Sequence, residues 1–280
     1  MKKIRLDQLV FERGFTESRE RAKTTIMSGL VFVNGQRADK PGTPVSPDAD
    51  VEVRDEALPF VSRGGFKLDK ALKVFPVDPA GKRCIDCGAS TGGFTDVLLQ
   101  HGAEKVYAVD VGYGQLAWKL RSDPRVVNLE RCNLRYVTRE QIPEALDLAV
   151  MDVSFISIRL VLPAVQQLLL PEADLICLIK PQFEAGREEV GKKGVVRDEA
   201  VHREVVQGIV DFAPTIGLSV VGLDFSPIRG PEGNIEYLCH LVNCPGRDRS
   251  FDIPALVARS HENFQKTGGK DHDSDLSQSV

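Results

Sequence analysis

At 280 residues, with 42% hydrophobic and 27% charged residues and a net charge of −4, the chain has the makeup of one or two ordinary folded domains. That balance argues against a generic nucleic-acid binder, whose footprint is basic, and no apolar run reaches membrane-spanning length. The amino terminus carries basic residues without an apolar leader stretch, and the six cysteines sit mostly in apolar, strand-like runs, so the expected compartment is the cytoplasm.

In chain order, residues 4–13 carry Leu6, Leu9 and Val10 at helical spacing. Thr16 or Ser18 caps a second helix, Arg19 to Ser28, that buries Ala22 and Ile26. Val31-Phe-Val33 before Asn34-Gly35 predicts a hairpin returning through Gln36 to Ala38, and Val51-Glu-Val53 adds a further strand. Residues 1–30 hold seven Lys/Arg against four acids, a locally basic face suited to phosphate contact. Arg5-Leu-Asp, Ser18-Arg19 with Ala22, Ile26 and Gly29, then Val31 to Gly35 resemble the RNA-binding fold named for a small-subunit ribosomal protein. That resemblance implies a small α+β RNA-binding domain over residues 1–56, with Arg5, Arg19 and Lys23 as RNA contacts and Arg21 or Arg37 as further ones.

Residues 57–62, around Pro59, form the expected linker, and Ser62-Arg63-Gly-Gly-Phe-Lys67 opens a helix to about Val74. Lys67 falls in its first turns, where the helix dipole opposes a cation, an odd place for a purely structural lysine. Arg83 to Cys87 is a short buried strand that breaks at Gly88, and a helix restarts after Gly92-Gly93. A strand feeding a glycine turn that opens a helix presents free N–H groups to a ligand. Lys105 to Asp110 is a second strand ending in a carboxylate, at the spacing of an acid that accepts from a ribose diol. Together they indicate a nucleoside cofactor, and the absence of Gly-x-Gly-x-x-Gly disfavours NAD. Gly88-Ala-Ser-Thr-Gly92 also matches the Gly-x-Ser-x-Gly elbow of α/β-hydrolases, with Asp152 and His202 or His240 in the required order. Cys84 and Cys87 lie on a strand and read as buried small hydrophobes, and no metal site is expected.

Further on come a helix over Gln115–Arg121, a strand Val126–Leu129, a fourth strand Leu146–Asp152 and a helix from Ile158 to Leu170. A fifth strand, Leu175–Lys180, precedes a helix Asp198–Phe212 and two strands, Leu218–Leu223 and Ile235–Leu241. This alternation predicts an α/β domain with a mostly parallel sheet and helices on both faces. Ligands bind at the carboxyl ends of such strands, where Asp110, Asp152 and Lys180 fall. Two lysines and two carboxylates, Lys67, Asp152, Lys180 and Glu236, converge if that fold holds. Such a set suits proton removal from a weakly acidic hydroxyl, since a lysine becomes a base when burial or a second ammonium lowers its pKa from ~10.4.

The order Lys67, Asp152, Lys180, Glu236 resembles the tetrad of the FtsJ-like ribose 2′-O-methyltransferases. With the N-terminal module, the chain to about residue 260 resembles the TlyA family of ribosomal RNA cytidine 2′-O-methyltransferases, some of them called hemolysins. The resemblance implies a Rossmann-like methyltransferase domain over 63–260 with a seven-stranded, mostly parallel sheet, while the polar composition from residue 264 on, with Gly268-Gly269 and Ser-rich ends, points to a disordered tail over 261–280. It implies S-adenosylmethionine as cofactor, with Gly88, Ala89, Ser90, Thr91, Gly92, Gly93, Phe94 and Thr95 around its methionine end. Asp110 would hold the cofactor ribose, Asn133 the adenine, and Asp152 would also line the cofactor site. Lys180 would be the base for the ribose hydroxyl, Asp152 would position both lysines, and Glu236 would hold substrate or Lys67, with Glu232 as the competing fourth member. Arg63 joins Arg5, Arg19 and Lys23 as an expected RNA contact, and ribosomal RNA or ribosomal subunits are the expected partners of a monomer with no obligate protein partner and no membrane contact.

Four further readings compete with this one. A pseudouridine synthase shares the N-terminal module but not a glycine-loop βαβ unit, and Asp152-Val-Ser-Phe155 stands where an amino-methyltransferase would show Asp/Asn-Pro-Pro-Tyr/Phe. A non-catalytic RNA chaperone would need neither the glycine loop nor the four charged residues. A membrane-acting hemolysin would need a secretion route and an inserting segment.

Overall fold

The structure is a computed structural model that describes residues 3–34, 36–53, 59–230 and 232–266, apart from the side chains of Arg37 and Lys266. It divides into two compact units, Met1–Arg63 and Gly64–Val280.

The first unit runs β1 (Ile4–Arg5), α1 (Leu6–Glu12), α2 (Arg19–Met27), β2 (Val31–Val33), β3 (Gln36–Ala38), β4 (Pro44–Val45) and β5 (Val51–Val53). Leu6, Leu9, Val10, Ala22, Ile26 and Val31 form its core, as their spacing predicts. Ser18 is the cap of α2, its side chain accepting the Arg21 N–H at 3.1 Å. The first helix starts later than residue 4, because Ile4 and Arg5 pair with Val45 and Pro44 in a short antiparallel ladder. That partner is forty residues away in sequence, beyond the reach of local periodicity.

The second unit begins with α3 (Gly65–Val74), β6 (Arg83–Cys87), α4 (Gly93–Gln100), β7 (Lys105–Val109), α5 (Trp118–Arg121) and β8 (Val126–Leu129). It continues through β9 (Leu146–Met151), α6 (Leu162–Gln166), β10 (Leu169–Ile179), α7 (Pro181–Glu184), α8 (Glu199–Thr215), β11 (Ser219–Phe225), β12 (Tyr237–Val242) and α9 (Ile253–Lys266). The seven strands are ordered β11-β12-β10-β9-β6-β7-β8, and only β12 runs against its neighbours. Ile85, Cys87, Val109, Ala149, Met151, Cys177 and Ile179 are buried along the central strands, as a sheet covered on both faces requires.

Three elements depart from their sequence expectations. The helix expected over Gln115–Arg121 is reduced to α5, since the Ala117 N–H is drawn to the Thr91 carbonyl at 3.1 Å. The helix expected from Ile158 to Leu170 breaks into a 3-10 turn (Ile158–Leu160) and α6, after which Leu169 and Leu170 already belong to β10. Leu169 pairs with Leu146 and Asp174 with Leu148, so an irregularity separates two stretches of one strand. Finally, α9 carries the fold past residue 260, with Leu256, Val257 and Phe264 buried, while residues 267–280 of the expected tail lie outside the described residues.

A buried polar network ties α9 to the sheet. His202 Nδ1 lies 2.7 Å from the Tyr237 hydroxyl and its Nε2 3.0 Å from the Val196 carbonyl. The Tyr237 hydroxyl also lies 3.1 Å from Ser260 Oγ. Burial pushes the Tyr237 phenol up and the His202 imidazolium down, so both stay neutral at pH 7. Tyr237→Phe should cost about 1–3 kcal/mol, the penalty for stranding buried polar partners, read as a fall of several degrees in Tm by calorimetry. An unchanged Tm would mean that water or side-chain rotation replaces the lost hydroxyl.

Candidate active site

Strand register builds the site. Cys87 is level with Val109 on one side and Met151 on the other, so Gly88, Asp110 and Asp152 emerge side by side from three neighbouring strand ends. On the other half of the sheet Ile179 faces Tyr237 in an antiparallel pair, which makes Lys180 and Glu236 the next pair outward. Glu236 therefore sits just before β12 rather than inside it.

The turn after β6 depends on close main-chain approach. Gly88 has φ +87°, and a Cβ there would lie 2.9 Å from the Asp152 carbonyl oxygen. Gly92 has φ +96°, and a Cβ there would meet Leu120 at 2.2 Å. Two carboxylates pin the turn from opposite ends. Asp86 Oδ2 accepts the Thr95 N–H at 2.9 Å and the Thr95 hydroxyl at 2.7 Å. Asp110 accepts the Ser90 N–H at 2.8 Å and the Gly112 N–H at 2.6 Å, one on each oxygen.

The expected cofactor residues divide accordingly. Ser90 and Thr91 are exposed at the turn and Gly88 is half-buried, whereas Ala89, Gly92, Gly93, Phe94 and Thr95 are buried in its support. Asn133 caps the 3-10 turn Leu134–Tyr136, its side chain accepting the Arg135 N–H at 3.0 Å.

The two lysines and two carboxylates do come together. Lys67 Nζ lies 2.7 Å from Glu236 Oε2 and 3.2 Å from Asp152 Oδ2. Lys180 Nζ lies 2.6 Å from Asp152 Oδ1 and donates to Ser154 Oγ at 3.0 Å. Lys67, Lys180 and Glu236 are buried, with relative exposures of 6%, 6% and 1%, whereas Glu232 is exposed. Burial pushes the Lys67 amine down, but Asp152 and Glu236 outweigh it and leave its pKa raised. Burial likewise pushes Asp152 up, and Lys67 and Lys180 overcome that to hold it below the usual carboxylate range. The cluster is a buried, alternating chain of charges, Glu236–Lys67–Asp152–Lys180, with formal charges that cancel.

Sequence reasoning missed Asp86, Ser154 and Gln182. Gln182 Nε2 donates to Glu236 Oε1 at 3.4 Å. Asp86 was visible as an acid inside an apolar strand two residues before Gly88. The hydrolase elbow lacks its histidine: the Ser90 hydroxyl donates to Gln115 Oε1 at 3.3 Å, His202 bonds Tyr237, and His240 pairs with Asp174 at 2.8 Å. Ser90 does keep the positive φ of a tight turn, +49°.

In the first unit, Arg5 and Arg19 converge on the buried Asp7 rather than standing as separate charges. Arg5 Nε lies 3.0 Å and Arg19 Nε 3.2 Å from its carboxylate, with both guanidinium groups about half exposed. Lys23 pairs with the exposed Glu20 at 2.6 Å, and Arg63 is the last residue of this unit. No helix among the described residues is long and apolar enough to cross a membrane.

Asp86 also yields a pH test. Burial raises its carboxyl to about 7, against which the two Thr95 hydrogen bonds pull down. A folded pKa above the unfolded value of ~3.9 means stability is fully present below that value and is lost as pH rises through about 7. In urea unfolding at a series of pH values, Asp86→Asn should therefore gain on wild type as pH rises from 4 to 7. Parallel stability profiles would show that Asp86 is ionised in the fold throughout.

Known proteins resemble this chain over most of its length. Residues 60–242 match the FtsJ-like methyltransferase family and residues 4–51 match the S4 domain. A Bacillus subtilis protein provisionally named an rRNA methyltransferase, YqxC, is 55% identical over 95% of this chain and 96% of its own length. The 16S/23S rRNA (cytidine-2′-O)-methyltransferase TlyA of Mycobacterium tuberculosis (strain CDC 1551) is 47% identical over 93% of this chain and 97% of its own. A solved Streptococcus thermophilus structure, provisionally named a hemolysin, is 46% identical and superposes with a TM-score of 0.77 over 96% of this chain and all of its own. The chain belongs to the FtsJ-like methyltransferase family, with an S4 domain at its amino terminus.

Proposed function

We propose that the protein methylates the ribose 2′-oxygen of cytidine in ribosomal RNA, with S-adenosylmethionine as methyl donor and Lys180 as base, in the cytoplasm. The observation that carries this reading is the convergence of Lys67, Asp152, Lys180 and Glu236 at the strand ends beside the glycine turn. The pocket residues fit the cofactor's chemistry. Asp110 is held by two backbone N–H groups with acceptor capacity left for a diol, and a Cβ at Gly88 would fill the turn. The buried Asp86 Oδ1 has no hydrogen-bond partner among the described residues, leaving an acceptor behind the same turn.

When bound, S-adenosylmethionine supplies an electrophilic methyl carbon. Lys67, bound by two carboxylates and with a raised pKa, stays an ammonium and serves to position Asp152 and Glu236. The remaining amine, Lys180, would act in its neutral form, taking the proton of the 2′-hydroxyl as the methyl group passes to that oxygen, with the methyl–sulfur bond breaking and the cofactor leaving as its neutral thioether. The ammonium formed is received by Asp152 and the Ser154 hydroxyl, already in contact with Nζ. In the first unit Arg5, Arg19 and Lys23 would meet RNA phosphates. Two guanidinium groups on one Asp7 keep a net positive charge and a fixed geometry, and Arg63 would extend the contact. The M. tuberculosis relative, named for cytidine 2′-O-methylation of 16S and 23S rRNA, supports this choice of substrate.

The test is transfer of labelled methyl from S-adenosylmethionine to ribosomal subunits from a strain lacking the protein. Label at a cytidine whose 3′ linkage resists alkali is expected. Lys180→Ala should lower the rate by about 10²- to 10⁴-fold while cofactor binding persists. Label on a base, or a Lys180→Ala protein as active as wild type, would overturn the reading.

A further inference from the structure

We propose that the second unit carries a seat for an unpaired RNA nucleobase at the outer edge of its sheet, apart from the four catalytic candidates. The proposal rests on the RNA substrate of the function above. Strand β8 ends the sheet, and a cavity of about 360 Å³ opens there, lined in part by Asn128, Arg131, Asn133, Tyr136 and Gln141. Single-stranded bases are recognised by aromatic and guanidinium planes that stack on their faces, together with hydrogen-bonding groups along their edges.

Both parts are present. Tyr113 and Tyr136 are 67% and 64% exposed, unusual for rings that could have packed inward. The Arg131 guanidinium lies 4.4 Å from the Tyr113 ring centroid, and that of Arg135 lies 5.1 Å from Tyr136, donating to its hydroxyl at 2.6 Å. Arg131 has φ +54° and its N–H donates to the Gly112 carbonyl at 3.0 Å, so the loops after β7 and β8 are joined where the planes stand.

The charge pattern favours a polyanion over a protein surface. Nearby cations are neutralised, Lys119 by Asp96, Arg121 by Glu130 and Arg125 by Asp123. Among the described residues, neither Arg131 nor Arg135 forms an ion pair. Gln141 is set as a donor, because its Oε1 is occupied by the Thr138 N–H and hydroxyl at 2.9 and 2.8 Å. That leaves its NH₂ group for the carbonyl or ring-nitrogen acceptors of a base.

The experiment measures binding of fluorescently labelled, protein-free ribosomal RNA from a strain lacking the protein, with cofactor affinity measured separately. Tyr136→Ala and Arg131→Ala should each weaken RNA binding about tenfold, within the range for loss of one stacking plane. Tyr136→Phe should bind like wild type, cofactor affinity should hold in all three, and matching thermal melts would exclude misfolding. RNA affinity unchanged in the alanine variants, or no RNA binding by wild type, would overturn the seat. A parallel loss of cofactor affinity would also overturn it, by making the cavity part of the cofactor pocket. If the variants show the expected pattern while wild type transfers no methyl, the seat stands and the catalytic reading falls.

Discussion

The second unit is arranged around four charges that can be buried only together. A lone ammonium or carboxylate at such depth would lose its charge or unfold its surroundings, since desolvating one ion costs several kcal/mol. Here each buried cation touches a carboxylate, and Asp152 touches both amines. The partners come from four separate segments: the first turn of α3 and the chain at the ends of β9, β10 and β12. The charge chain therefore holds only when the sheet has closed in one order and one register. It specifies arrangement more than it adds stability, because an apolar cluster of the same volume would be at least as stable.

The same economy governs the glycine turn. Its shape is set by two acids at different depths, Asp86 behind it and Asp110 beside it, and by a main-chain approach to Asp152 that no side chain could occupy. The turn and the charge chain consequently share one residue. A displacement of Asp152 would move the lysines and the loop at once.

Much of this was legible in sequence because it is local or carried by residue type. The strands β6, β7, β9 and β10 announced themselves as apolar runs ending in Gly88, Asp110, Asp152 and Lys180. What escaped was set by partners distant in sequence. Ile4 and Arg5 became a strand because of Val45, the helix after Gln115 lost its first turn to the Thr91 carbonyl, and the helix after Ile158 was cut short where Leu169 pairs with Leu146. The fourth charged residue was legible only as a choice between Glu232 and Glu236, which burial and the contact with Lys67 separate. Arg5 and Arg19 were legible as cations, but their common attachment to Asp7 was not, since Arg19 follows Asp7 by twelve positions, across a turn. The last helix was overlooked because its apolar spacing runs directly into a polar terminus.

That helix has a consequence in time. Tyr237 follows Glu236 directly, and its hydroxyl reaches Ser260, near the end of the described chain. During synthesis the segment carrying Glu236 and β12 therefore emerges before the helix that completes its polar packing. A nascent chain stopped short of residue 260 would leave the Tyr237 hydroxyl with His202 alone, and the charge at its neighbour less firmly placed. The polar packing behind the site is thus complete only once the segment through Ser260 has left the ribosome, so folding of the charge chain waits on a helix that contributes no charge to it.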